Sequence, residues 1–273
     1  MKPLNLILGS SGKTGSRIVN KLNQLEMPIR LGSRKTNPSF DWEKTETWEA
    51  VIKGVDHIYI SYQPDLAVPE SIHHIQILVD LAKKCKVKRL VLLSGRGEPE
   101  AINCEKIVQG SGLEWTILRS SWFSQNFSEG MFLDAILERK IIFPKIKFKE
   151  PFIDLDDITD LAVEALVNQK HVGKLYELTG PSLYHFEETF RIIANEIKES
   201  ILFEEIPLEE YISMLGELGL SKDTIWLIQY LFENVLDGRN EFIQNDFESA
   251  MGRKPKDLRD YVKETAKSGV WSL

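Results

Sequence analysis

Gly9, Gly12 and Gly15 recur every third residue in the stretch Leu4-Asn5-Leu6-Ile7-Leu8-Gly9-Ser10-Ser11-Gly12-Lys13-Thr14-Gly15-Ser16-Arg17-Ile18-Val19. An apolar segment runs through a glycine-rich turn into a helical pattern. Residues of this type in this order suit the binding of a phosphate-bearing ligand. Gly9 lets the chain leave the strand sharply, Gly12 lets backbone approach a pyrophosphate, and Gly15 lets the helix pack close to the sheet. The opening N–H groups of the helix, with its dipole, then favour the negative charge. The G-x-x-G-x-x-G spacing is a relative of the G-x-G-x-x-G dinucleotide fingerprint. A Walker A loop is disfavoured, because Gly12-Lys13-Thr14 matches its end while its first glycine would fall on Ile7. An ordinary tight turn is the weaker alternative.

A second chemical signal follows the next strand, Pro28-Ile29-Arg30-Leu31-Gly32. An NAD-type site carries an acid about 20 residues past the fingerprint, on the ribose 2′-OH. Ser33-Arg34-Lys35 stand there instead. Gly32 and Ser33 leave room, and Arg34 and Lys35 supply positive charge, so a 2′-phosphate fits and NADP(H) is favoured over NAD. The alternative is a surface loop with two solvated cations.

The elements that must position these groups alternate along the chain. After the second strand come a short helical or irregular segment at Trp42 to Lys53 and a strand at Val55 to Ser61. Helical spacing follows at Pro69 to Ala82, then a continuous apolar strand at Arg89 to Leu93. A helix from Pro99 to Gln109 and a fifth strand at Trp115 to Leu118 complete the series. Five strands alternating with helices imply an α/β fold, a Rossmann-type doubly wound parallel sheet. From about Phe123 the rhythm changes. Helices at 130–138, 158–167 and 186–197 and a strand at 174–180 lead to a remainder, Glu205 to Trp271, that reads as mainly helical, with Glu204 to Glu210 a solvated helix start. The organisation expected is a dinucleotide domain over 1–150, its core extending into 151–180. A smaller, mainly helical substrate part over 181–273 has interleaved segments.

Composition bounds the function. With 273 residues, 42% hydrophobic and 27% charged, the chain can bury a sizeable core. A formal charge of −7 argues against a nucleic-acid surface. No apolar run approaches the ~20 residues of a membrane helix, and no signal peptide is visible. Cys85 and Cys104 are too few for a disulfide framework or a zinc site, so no metal is expected and a reducing cytoplasm is the natural location.

Together with Gly9 to Gly15, several segments carry a family pattern: Phe40-Asp41-Trp42, Gly54-Val55-Asp56, Tyr62-Gln63-Pro64-Asp65-Leu66-Ala67-Val68-Pro69, Ser111 to Arg119, Ser121-Trp122-Phe123-Ser124-Gln125-Asn126-Phe127, Phe152 to Ile158 and Gly252-Arg253-Lys254-Pro255. Over nearly its whole length the chain resembles the NmrA-like group of atypical short-chain dehydrogenases/reductases, in particular the ergot-alkaloid reductases and their bacterial relatives. The resemblance implies that Gly9, Ser11, Gly12, Lys13, Thr14 and Gly15 hold the pyrophosphate and that Arg34, beside Lys35, meets the 2′-phosphate. It implies that Asp41 and Trp42 border the adenine and that Ser61, Tyr62 and Gln63 pass the ribose and phosphates. Ser94 and Gly95 would lie near the nicotinamide ribose, and Ser121, Trp122 and Phe123 would flank the nicotinamide and a small-molecule substrate.

One departure matters. Short-chain reductases use a Tyr-x-x-x-Lys pair to move a proton. Aligning Glu105 with the glutamate that usually follows puts Gly97 and Ala101 in the two places. Ser94 alone cannot move a proton at neutral pH. Hydride transfer to an already electrophilic quinone, iminium ion or activated alkene does not need the pair; solvent, Tyr62 or a bound water can deliver any proton. Orientation and water exclusion are then the main work. Trp122, Phe123, Phe127 and Met131 are candidates for an aromatic pocket wall, with core packing the alternative for each. His73, His74, His185 and Cys104 read as packing or surface residues, and Asp156 or Asp157 as a helix N-cap. Two functions remain open: an NADPH-dependent reductase, and a non-catalytic NAD(P)-binding redox sensor that binds a protein partner. The oligomeric state, monomer or homodimer, is open.

Overall fold

Strand segments buried at every position, such as Asn5–Leu8 and His57–Ile60, can exist only in a sheet covered on both faces. The computed structural model describes residues 2–272 and builds such a sheet. In chain order its elements are β1 (Asn5–Leu8), α1 (Lys13–Gln24), β2 (Ile29–Gly32), α2 (Trp48–Ile52), β3 (His57–Ile60), α3 (Glu70–Lys84), β4 (Arg89–Gly95), α4 (Pro99–Gln109) and β5 (Glu114–Ser120). There follow α5 (Leu133–Leu137), β6 (Lys140–Pro144), α6 (Leu155–Val167), β7 (Lys174–Leu178), α7 (Phe186–Ile197), β8 (Leu202–Ile206), α8 (Leu208–Glu217), α9 (Lys222–Asn234), α10 (Asp246–Met251) and α11 (Leu258–Ala266).

The chain forms two compact units. The first comprises the chain up to Ser120, with Leu155–Leu178 and Ser249–Met251. Its six strands run parallel in the order β2-β1-β3-β4-β5-β7, with Asn5 opposite both Ile29 and His57. The order reverses at β1, which makes the carboxyl edge beside β1 and β3 the crevice where ligands bind in such sheets. The expected doubly wound α/β fold is therefore observed. Helix α1 packs with α6, and α3 with α4. The α1–α6 pair is tied by Arg17 to Asp156 at 3.4 Å and by Lys21 to Asp160. At the opposite edge the Arg89 guanidinium, 3% exposed, grips Glu114 at 2.7 Å and the Ala165, Leu166 and Asn168 carbonyls at the end of α6. A cation there satisfies carbonyls that the helix leaves orphaned.

The second unit comprises Ser121–Asp154, Thr179–Glu248 and Gly252 onward. Its core is aromatic: Phe127, Phe132, Phe143, Phe152, Phe186 and Phe190 interlock, with Phe143 and Phe186 centroids 4.8 Å apart. Trp271 closes it, donating from Nε1 to the Phe127 carbonyl at 2.7 Å. Two expectations change here. The first three residues of the run read as a helix start, Glu204 to Glu210, belong to strand β8, paired in parallel with β6 from Lys140↔Leu202 to Pro144↔Ile206. A partner about sixty residues away overrides the local pattern, and the helix begins only after Pro207, at Leu208. Asp156 and Asp157 do not cap α6, because that helix already includes Leu155; they lie in its first turn, where carboxylates still complement the dipole.

Candidate functional site

The glycine turn leaves β1 at Gly9, whose φ of +71° is a left-handed conformation that only glycine adopts without cost. Its N–H and that of Ser10 donate to the Gly32 carbonyl at 2.9 and 3.3 Å, so the turn is pinned to the end of β2. The Gly12 N–H returns to the Gly9 carbonyl at 2.8 Å, and Gly12 then serves as the N-cap of α1. Among the described residues no side chain caps this helix, and its first turn holds no acid. A Cβ on Gly15 would stand 2.2 Å from the Gly9 oxygen and 3.0 Å from Ser10 Cα. Gly15 is thus required by the turn folding back on its own helix. Thr14 is buried, Lys13 half-buried and Ser11 exposed.

Beyond β2 the chain is held in a tight loop. The Thr36 hydroxyl donates to the Ser33 carbonyl at 2.8 Å and accepts from the Ser33 N–H at 3.1 Å, while the Phe40 N–H returns to the Ser33 carbonyl at 2.9 Å. Arg34 and Lys35 are exposed on this loop. Phe40, Trp42, Trp48 and Tyr62 form an aromatic cluster, with Trp42 4.6 Å from Tyr62. Trp42 donates to the Ser61 carbonyl at 3.3 Å, and Asp41 accepts at its carbonyl from Trp48 at 2.6 Å. Ser61 faces the back of Gly9, and the exposed Gln63 reaches over Gly12. Gly32, Ser61 and Gln63, from the ends of β2 and β3, therefore meet the glycine turn.

Tyr62 and Ser94 are both engaged in hydrogen bonds. Tyr62 shares a hydrogen with His74 Nδ1 at 2.7 Å, and burial, with Glu70, Cys104 and Glu43 nearby, pushes its phenol up to about 12. Ser94 donates to Glu105 at 2.6 Å, and Arg119 grips the same buried carboxylate through Nε at 3.0 Å and Nη2 at 2.5 Å. In the places of the Tyr-Lys pair, Gly97 has a φ of +83° and Ala101 is buried in the core.

Two acids that the sequence reading passed over meet beside Gly95. The Glu98 carboxyl lies so close over Gly95 that a Cβ there would be 2.1 Å from either carboxyl oxygen. It forms a hydrogen bond with Asp65, from the loop after β3. Burial, then the adjacent Asp65 charge, raises the Glu98 carboxyl well above the usual carboxylate range. Asp65 is raised less, since its Oδ1 also accepts the Ala67 N–H at 2.9 Å. Asp65 fell within a segment quoted for the family pattern; Glu98 carried no motif, and only the loop geometry brings it to Asp65.

The remaining candidates belong to the second unit. Ser121 donates to the Pro151 carbonyl at 2.7 Å. Trp122 is half-buried, 5.7 Å from Phe186 and 6.1 Å from Phe232. Phe123 is half-buried, its backbone bridged to Ile153. Phe127 is fully buried in the aromatic core, a packing position, whereas Met131 is 44% exposed.

No family model matches the chain. It is 28% identical over 286 residues to agroclavine dehydrogenase from Claviceps fusiformis, covering 98% of each chain. It is also 28% identical over 277 residues to prestalk A differentiation protein A from Dictyostelium discoideum, covering 95% of this chain and 91% of that one. Its fold matches the NADPH-dependent quinone oxidoreductase of Escherichia coli, crystallised with NADPH, at a TM-score of 0.80 and 19% identity, over 95% of this chain and 99% of that one. The resemblance to atypical short-chain dehydrogenases/reductases with a Rossmann-type sheet is thereby borne out.

Proposed function

We propose that the chain is an NADPH-dependent oxidoreductase that reduces a small, already electrophilic substrate of conjugated, imine-like or quinone-like structure. The observation that carries this reading is the Gly9–Gly15 turn, which opens an uncapped, acid-free helix at the carboxyl edge of β1. Such a turn fits a pyrophosphate, because its glycines leave free the volume that side chains would fill. A bound NADP(H) supplies the hydride. Arg34, with Lys35 beside it, is the recognition element for a 2′-phosphate, exposed and without an ion pair among the described residues. In this reading Asp41, Trp42, Ser61, Tyr62 and Gln63 are the candidates for the adenosine side and Ser94 and Gly95 for the nicotinamide side, and Ser121, in the second unit, is a further cofactor candidate. Trp122, Phe123 and Met131 are the substrate-facing candidates. Relatives named as dehydrogenases support the reductase class.

The alternative is an NAD(P)-binding sensor for a protein partner. The engagement of both Ser94 and Tyr62 in other hydrogen bonds favours it. Following NADPH absorbance against quinones, cyclic imines and enones, with NADH in parallel, separates the two. Turnover with NADPH is the expected result. Binding without turnover across the panel would move the assignment to the sensor.

A further inference from the structure

We infer that Glu98, holding a proton against Asp65, is the proton donor that this reduction otherwise lacks; the inference rests on the reductase reading above. Four observations carry it. First, Glu98 is 7% exposed, and its Oε2 is buried and receives no hydrogen bond among the described residues. Second, it lies at the carboxyl end of β4, directly over Gly95, on the edge where doubly wound sheets bind their ligands. Third, the charged groups that act most strongly on it are acidic: Asp65 from the loop after β3, and Glu100 and Glu105 from α4. Two neighbouring acids have cations: the buried Glu105 on α4 is paired with Arg119, and the half-buried Glu177 on β7 with Arg96. Fourth, the pair is asymmetric. Asp65 accepts the Ala67 N–H, which stabilises its charge, whereas no N–H among the described residues donates to Glu98 Oε2. Two carboxyls in contact in a desolvated site share one proton rather than ionise together, and Glu98, the more deeply buried of the two, holds it.

In the step itself the electrophilic atom of the substrate takes up a hydride, and its π electron pair moves to the terminal oxygen or nitrogen. The Glu98 O–H bond breaks and the proton passes to that atom, leaving a carboxylate. Asp65 is only half-buried, so water can return a proton to the pair through it. The sum is one hydride and one proton delivered, with the proton drawn finally from solvent.

The test compares wild type, Glu98→Gln and Asp65→Asn with two acceptors under NADPH: a quinone, which needs hydride and proton, and a triarylmethyl cation, which needs hydride alone. Glu98→Gln should cut kcat on the quinone by about 100-fold, the usual scale of general acid catalysis. Its loss on the cation should be at least about tenfold smaller, because no proton is transferred there. Wild-type quinone turnover should fall as pH rises through the donor's titration. Asp65→Asn should move that fall to lower pH by removing the neighbouring charge. Infrared spectroscopy of the purified full chain provides a readout independent of turnover: a protonated-carboxyl C=O band at neutral pH, absent in Glu98→Gln. Equal losses on the two acceptors, or no such band in wild type, would overturn the donor role while leaving the reductase reading intact. Absence of wild-type turnover on both acceptors would instead remove the reductase reading, and the donor role with it.

Discussion

Arg34 and Gly15 illustrate how single residues divide the labour at the nucleotide end. Arg34 is exposed on a loop whose shape is set by Thr36 and Ser33, so shortening Arg34 removes charge without removing the turn. A charge-assisted hydrogen bond to a phosphate contributes about 1.5–3 kcal/mol. Arg34→Ala should therefore weaken NADPH binding by about tenfold or more while changing NADH binding little. Calorimetric titration of the two nucleotides checks this; equal losses would refute the 2′-phosphate role. Gly15→Ala acts differently, since its Cβ would overlap the Gly9 oxygen and force the whole turn to move. Both nucleotides should lose affinity together in that variant. The type and spacing of these residues were legible in the chain, because the turn is local. Glu98 was not, because its partner Asp65 is 33 residues earlier and only the packing of two loops brings them together.

At the scale of elements, α4 and the strands β4 and β5 are joined by one buried carboxylate. Glu105 on α4, 2% exposed at its side chain, receives Ser94 from β4 and Arg119 from β5. Removing the cation strands a buried negative charge, which typically costs about 3–5 kcal/mol. The Arg119 side chain is 21% exposed, so water offsets part of that, and Arg119→Leu should cost about 3 kcal/mol. A lowered urea midpoint at unchanged slope is the expected result; a loss within about 0.5 kcal/mol would show the pair to be solvent-screened. Helix positions such as Pro99–Gln109 and Phe186–Ile197 were readable from apolar spacing and match the structure. Strand β8 was not, since its acidic run reads as a helix start until β6 pairs with it.

Across the whole molecule, pH acts through groups that the fold has buried. Desolvation lowers His57, His74 and His171 below their usual 6.5. The unfolded chain takes up these protons as pH falls through 6.5, while the folded chain resists until lower pH, so stability should decline on acidification. Glu98, raised in the folded state, acts in the opposite sense, its contribution shrinking as pH rises above its usual 4.5. Urea midpoints should fall between about pH 7.5 and 5.5, and Glu98→Gln should steepen that fall by removing the opposing contribution. A flat profile in wild type would contradict the burial of these histidines. What the chain determined by itself is what short-range physics encodes: alternating apolar strands and helices, hence the parallel sheet, and a glycine turn that no bulkier residue can form. The tertiary structure alone decided which charges face which. Whether Ser94 is a free hydroxyl or bound to Glu105, and whether Asp65 meets a cation or Glu98, depends on contacts between distant segments and on the water they exclude. Burial, which sets the energy of every charge in the site, is a property of the packed molecule.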